Sequence, residues 1–315
     1  MSSIVIVGGG FSGVVTAVNL VRIADAPLTV TVVNAGRPLG RGVAYGTRRP
    51  EHLLNVVARN MSALADRPNH FVEWLGTRSD LAHLSTVQLR ELFVPRRVYG
   101  DYLQAVFLWY RSAFADGKKV HIDTREAVVV DIVPTGDRVN VVTASGEPLV
   151  ADKIVLATGN PPPADPAGDG VHHPGYLGDP WIDWEARLPD KDQAVVLLGT
   201  GLTMVDTFLT LSAVGWRGAI VAVSRHGLLP LSHFKGPDYP GFPAVDPSGR
   251  SLDEVRALLE THCVRLRLQG LNPAILVDKL RPYTQRIWRH WTPVDKRRFL
   301  RDFQTQWTVV RHRVQ

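Results

Sequence analysis

The opening stretch Ser3-Ile-Val-Ile-Val-Gly8-Gly-Gly10-Phe-Ser-Gly13 decides the fold class. Ser3 to Val7 is a short apolar run of the length and composition of a buried strand. Gly8-x-Gly10-x-x-Gly13 follows at once, and an apolar helical pattern runs from Val14 through Ile23. A second β-rich run, Leu28 to Val33, completes a βαβ unit. In this context the three glycines have separate uses. The first permits a tight turn, and the second lets the backbone approach a pyrophosphate. The third lets helix and strand pack closely, so that the helix N-terminus faces the negative charge. Asn34 stands where an acid ordinarily ends the second strand and holds the ribose hydroxyls. An amide offers no pair of charged acceptors, so adenosine binding is expected to be weaker than with an acid.

A second, degraded copy lies further along. Ala194 to Leu198 reads as a strand, Gly199-x-Gly201-x-x-Met204 as the turn, Leu202 to Val214 as a helix, and Ala219 to Ser224 as the next strand. Methionine in the third glycine place is expected to push helix and strand slightly apart. Ser224-Arg225-His226 closes the unit, and an arginine there can clamp a 2′-phosphate, favouring NADPH over NADH.

Between the copies, residues 35–117 mix loops and helices, the clearest helix spanning Val98 to Phe114. Residues 119–156 read as an antiparallel meander with turns at Thr135-Gly136-Asp137 and Ser145-Gly146-Glu147. The last strand runs into Ala157-Thr158-Gly159, where small residues suit a chain passing close to a bound ring. The expected organisation is a first nucleotide domain over 1–165, a Pro/Gly/Asp-rich linker over 166–189 and a second nucleotide domain over 190–315. The fold class is α/β and Rossmann-like, with two dinucleotide-binding domains and an antiparallel β-meander.

Composition is consistent with this. The chain has 315 residues, 45% of them apolar and 21% charged, enough for a real core without disulfides. Its one cysteine, Cys263, cannot form an internal disulfide, and no Cys/His cluster suggests a metal. Ile4 to Val21 is interrupted by glycines and lacks a cationic start, so it reads as folded structure in a cytoplasmic protein, not as a signal or a span. Residues 279–315 carry ten Lys/Arg against Asp295 and Asp302. They interleave with Trp288, Trp291, Phe299, Phe303 and Trp307. The four-residue spacing of Phe299 and Phe303 favours an amphipathic helix with Lys296, Arg297 and Arg301 exposed over a nucleic-acid surface. Thr292-Pro293-Val-Asp295 reads as its start. The histidines are scattered, and no GxSxG suggests a hydrolase.

Several further stretches carry a resemblance: Gly40-Arg-Gly-Val-Ala-Tyr-Gly46, His52-Leu-Leu-Asn-Val56, Pro95-Arg-Arg-Val-Tyr-Gly-Asp-Tyr102 and Val155-Leu-Ala-Thr-Gly-Asn-Pro161. Gly199-Thr-Gly-Leu-Thr203, Ser224-Arg-His-Gly-Leu-Leu-Pro230 and Arg297-Arg-Phe-Leu300 complete the set. In this order they resemble a family of bacterial FAD/NAD(P)-binding flavoproteins with two dinucleotide domains, which includes an FAD-dependent urate hydroxylase and an aspartate N-monooxygenase. The resemblance implies FAD in the first domain and NADPH in the second. It also implies a monooxygenase acting with dioxygen on a small polar or amine-bearing substrate. The candidate FAD contacts are Gly8, Gly10, Phe11, Ser12, Gly13, Asn34, Arg41, Thr158 and Gly159. The candidate NADPH contacts are Gly199, Gly201, Leu202, Thr203, Ser224 and Arg225. No protein acid or base is singled out as catalytic. Members of the family ordinarily continue beyond the point corresponding to Gln315, with a return to the FAD domain that completes its sheet. A non-catalytic nucleotide-binding module and a flavin-free NADP-dependent reductase are the alternative readings.

Overall fold

The computed structural model describes residues 2–112, 119–165, 173–181, 184, 188, 190–234 and 236–314. The chain divides into two compact units, Met1–Pro189 and Asp190–Gln315.

In the first unit, β1 (Ser2–Val7), α1 (Phe11–Ile23) and β2 (Leu28–Asn34) form the expected βαβ unit. Helix α1 begins three residues earlier than its apolar pattern, because Gly10 is its N-cap. Helices α2 (His70–Gly76), α3 (Thr86–Glu91) and α4 (Arg96–Ser112) follow, and Phe114, the expected end of α4, lies outside the described residues. Next come β3 (Val120–Glu126), β4 (Val129–Thr135), β5 (Arg138–Thr143), β6 (Pro148–Ala151) and β7 (Lys153–Leu156).

The strand pairing corrects one expectation. Only β4, β5 and β6 form the antiparallel meander; β3 pairs parallel with β2 and β7 parallel with β1, giving a four-stranded sheet ordered β3-β2-β1-β7. Alternation within a strand marks its buried face but does not choose its partner, and these partners are distant in sequence. Gly136 and Gly146, at the two meander turns, adopt φ of +59° and +82°, conformations that suit glycine.

Both faces of the parallel sheet are covered, as such sheets require. Ile6, Val30 and Val32 point into a core shared with Val14, Val18, Phe71, Tyr102 and Leu103 of the helices. Val5 and Val33 alternate to the other face, where they meet Val141 and Ala151 of the meander. The register, with Ile6 opposite Val32 and Val7 opposite Val33, brings the ends of β1 and β2 level beneath the first glycine turn. Of the stretch read as a linker, 166–172, 182–183, 185–187 and 189 lie outside the described residues. Within its described part Trp184 is buried, and its indole N–H donates to the Pro180 carbonyl at 3.0 Å.

The second unit begins with a smaller βαβ element: β8 (Val195–Leu198), α5 (Leu202–Ala213) and β9 (Ile220–Val223), with β8 and β9 parallel. The remainder is helical, as its sequence suggested: α6 (Leu252–Leu268), α7 (Ala274–Leu280), α8 (Thr284–His290), α9 (Pro293–Arg298) and α10 (Gln304–Arg311). Thr292 caps α9, its hydroxyl accepting from the Asp295 amide at 3.1 Å. Phe299, Phe303 and Trp307 pack against a core of Leu266, Leu276, Ile287 and Trp291. Arg297 and Arg301 are exposed as expected, whereas Lys296 is half-buried with its ammonium 5.7 Å from the Trp288 ring centre.

Candidate functional site

The first glycine loop is built as the spacing requires. Gly8 has φ +106°, and its amide donates to the Val33 carbonyl at 2.8 Å. A Cβ there would stand 2.2 Å from the Ala157 carbonyl oxygen, so the Ala157-Thr158-Gly159 stretch crosses directly over this turn. Ala157 extends the β1–β7 pairing by donating its amide to Val7 at 2.8 Å. Thus Gly159, at φ +71°, and Thr158 are brought to the loop by strand pairing. A Cβ on Gly13 would stand 1.8 Å from the Gly8 carbonyl oxygen, so only glycine allows this approach of helix to strand.

Gly10 faces Gly42, whose Cα would be 3.5 Å from a Cβ on Gly10. The first α1 amide with a helical partner is Val14, which donates to the Gly10 carbonyl at 3.0 Å. The amides of Phe11, Ser12 and Gly13 have no acceptor among the described residues, and the first turn contains no acid. Three free N–H groups and the positive end of a 13-residue helix therefore converge at this point, an arrangement suited to a pyrophosphate.

Two candidate contacts have partners within the protein. Asn34 accepts from the Gly9 amide at 3.0 Å through Oδ1 and donates through Nδ2 to the Arg37 carbonyl. Arg41 donates to the Arg97 carbonyl at 2.6 Å and pairs with the Asp101 carboxylate. It lies against Gly100, where a Cβ would be 2.8 Å from the Arg41 side chain. The Gly40 amide donates to the Gly9 carbonyl at 2.8 Å. In this way the Gly40-Arg-Gly42 turn is held between the glycine loop and α4.

Sequence reasoning missed an aromatic and polar flank beside the loop. Phe11, at 40% exposure, lies 6.4 Å by ring centres from both Tyr45 and Tyr99, which are 4.7 Å apart. Burial raises the phenol pKa of both tyrosines, and the Arg96 charge only partly opposes this at Tyr45, so both stay protonated. Buried Arg96 donates through Nε to the Leu53 carbonyl at 3.0 Å, and through an Nη to Asn55 Oδ1 at 3.4 Å. The Trp181 ring covers Arg96 at 5.7 Å and meets the buried His52 ring edge-on at 6.2 Å. The signal was present in the His52–Val56 and Pro95–Tyr102 stretches, but their contact is set by the Leu53–Pro95 bridge, which spacing does not reveal.

The second loop is more open. Gly199 has φ +102° and donates to the Val223 carbonyl at 2.7 Å, while Gly201 caps α5. Among the described residues, none beyond the chain neighbours comes within 4 Å of a Cβ built on either glycine. Met204 and Val205 both donate to the Gly201 carbonyl, at 3.1 and 3.4 Å, leaving the amides of Leu202 and Thr203 without an acceptor among the described residues. Ser224 serves the local fold. Its Oγ accepts from the Gly227 amide at 3.1 Å and lies 2.8 Å from the Thr200 hydroxyl. Arg225 is exposed and makes no ion pair with any described residue.

Residues 5–161 match the model of the family described as FAD-NAD(P)-binding. This part of the chain is an FAD/NAD(P)-binding domain. Its glycine turn, helix N-terminus and crossing Ala157–Gly159 stretch all lie within the matched residues. No curated protein sequence matches the chain. Among solved structures, it is similar to the ornithine N-hydroxylase of Kutzneria sp. 744, described with reduced FAD, NADP+ and L-ornithine. That match has 20% identity and a TM-score of 0.52, covering 82% of this chain and 62% of the hydroxylase. A flavin monooxygenase from Stenotrophomonas maltophilia matches at 17% identity and a TM-score of 0.43, covering 71% of this chain and 58% of that one. A cyclohexanone monooxygenase matches at 15% identity and a TM-score of 0.45, covering 76% and 41%. The chain thus spans less than two thirds of each of these structures. The first likeness establishes the fold that carries the FAD/NAD(P)-binding domain. Among the described residues no helix is long and apolar enough to cross a membrane, and no cluster of His, Cys, Asp or Glu could hold a metal ion.

Proposed function

We propose that the protein is a flavin-dependent NADPH oxidoreductase of the monooxygenase type. The observation that carries the reading is the first glycine loop, which presents three unpartnered amides at the start of α1 and leaves no room for a side chain at Gly8 or Gly13. These residues fit the pyrophosphate of FAD. Phe11, Ser12 and Gly13 would bind it through their amides, Gly10 would allow its close approach, and Thr158 and Gly159 would border it. FAD, when bound, accepts hydride and supplies reduced flavin for reaction with dioxygen.

The chain's own residues then position and shield. Phe11, Tyr45 and Tyr99 make an aromatic flank beside the loop, and the two tyrosine phenols stay neutral at physiological pH. In the second unit, Leu202 and Thr203 would receive the NADPH pyrophosphate and Arg225 its 2′-phosphate. Arg225, exposed and in no ion pair with a described residue, supports that preference. The similar hydroxylase and monooxygenases support a small-molecule substrate, which we take to be polar or amine-bearing, in a cytoplasmic enzyme.

The test is oxygen-dependent NADPH consumption by FAD-reconstituted protein. Oxidation that needs both FAD and dioxygen supports the reading. NADPH turnover at the same rate without flavin contradicts it.

A further inference from the structure

Asn34 occupies the position at which an acid ordinarily receives the ribose hydroxyls, yet both ends of its carboxamide serve the protein itself. Its orientation follows from the partners: the Gly9 N–H can only donate and the Arg37 carbonyl can only accept. Oδ1 therefore faces Gly9, and Nδ2 faces Arg37. Gly9 fits the same arrangement. A Cβ there would fall 2.8 Å from Asn34 Oδ1 and 2.4 Å from the Leu39 side chain. This glycine, at an unspecified position of the Gly8-x-Gly10 motif, is required by the side chain lying over it.

We infer that Asn34 is a positioning residue: an amide clasp that closes the chain after β2 onto the glycine loop and sets that loop for the dinucleotide. Three observations support this. The clasp takes the Gly9 amide out of use, so pyrophosphate recognition falls to Phe11, Ser12 and Gly13. It also starts a turn in which Gly40 donates back to the Gly9 carbonyl at 2.8 Å. That turn brings Gly42 to face Gly10, where a Cβ would approach its Cα at 3.5 Å. Finally, a donor is required at Nδ2, and a carboxylate has none. An ionised acid at position 34 would place its charge against the Arg37 carbonyl oxygen. The inference rests on the proposed reading that the first loop holds FAD.

It makes a prediction opposite to that for a ribose acceptor. Asn34→Asp, which restores the usual acid, should weaken FAD binding at pH 8 by at least about fivefold. The deficit should shrink toward pH 5, as a substituted carboxyl that takes up a proton regains a donor for the Arg37 carbonyl. Asn34→Ala should also bind FAD less tightly and keeps the test open if the acid variant does not fold. An independent readout needs no nucleotide: the Gly9 amide should be protected from hydrogen exchange in the wild-type protein and lose that protection in Asn34→Ala. Tighter FAD binding by Asn34→Asp at pH 8, or Gly9 exchange unchanged by Asn34→Ala, overturns the inference. Wild-type protein that binds no FAD would contradict the proposed function instead, and Gly9 exchange would still decide the clasp.

Discussion

The carbonyl oxygen of Gly8 stands 1.8 Å from the point at which a Cβ on Gly13 would be placed. Strand β1 and helix α1 are therefore as close as a backbone without side chains allows, and the helix N-terminus is fixed above the strand end. Gly13→Ala should separate the two, lowering stability by about 1–3 kcal/mol and FAD affinity at least tenfold. Urea unfolding and FAD titration check the two effects.

Gly8 and Gly201 should respond differently to the same substitution. At Gly8 an alanine meets both a left-handed φ of +106° and the Ala157 carbonyl at 2.2 Å. The expected loss from Gly8→Ala is at least about 2 kcal/mol. At Gly201 a Cβ meets no described residue beyond its chain neighbours within 4 Å, so Gly201→Ala should fold normally and lose only NADPH affinity. Thermal unfolding without ligands separates them, and equal destabilisation would contradict this account.

Arg225 is the test of cofactor preference. Removing the exposed guanidinium from a phosphate should raise the apparent KM for NADPH by about 10- to 100-fold in Arg225→Ala. The value for NADH should change little. Equal effects on both would refute the 2′-phosphate assignment.

His70 supplies a pH-dependent prediction. Its Nδ1 lies 2.8 Å from the Tyr102 hydroxyl, and burial, aided by the Arg67 charge, lowers its pKa below the ordinary 6.5. A lowered folded value means that the unfolded chain binds the extra proton first. Stability from this group is complete above about pH 6.5 and declines as pH falls toward the folded pKa. Thermal midpoints compared at pH 7.5 and 5.5 should fall less for His70→Leu than for the wild type.

Much of the fold could be read from local pattern. The βαβ units announce themselves because each places an apolar strand, a glycine turn and a helical period within one continuous stretch, and the Thr292 cap is equally local. The placement of β3 and β7 was not legible in the same way: their alternation marks buried faces, while their partners β2 and β1 lie far away in sequence. The glycine loop itself was legible, down to the close approach at Gly13. The flank of Tyr45, His52, Arg96 and Trp181 was not, because it is assembled by the Leu53–Pro95 bridge and by a later segment. The partner of Asn34 was equally hidden, since an amide can serve a ribose or its own backbone and only geometry distinguishes them.

If the loop at Gly8, Gly10 and Gly13 holds FAD, flavin should stay with the folded protein and depend on that loop. The most direct measurement is the visible absorbance spectrum of protein mixed with FAD and freed of unbound flavin, for the wild type and for Gly10→Val. A bound-flavin spectrum is expected in the wild type, bleached by NADPH without oxygen, and none in a folded Gly10→Val. Colourless wild-type protein, or equal flavin content in the two, would contradict it.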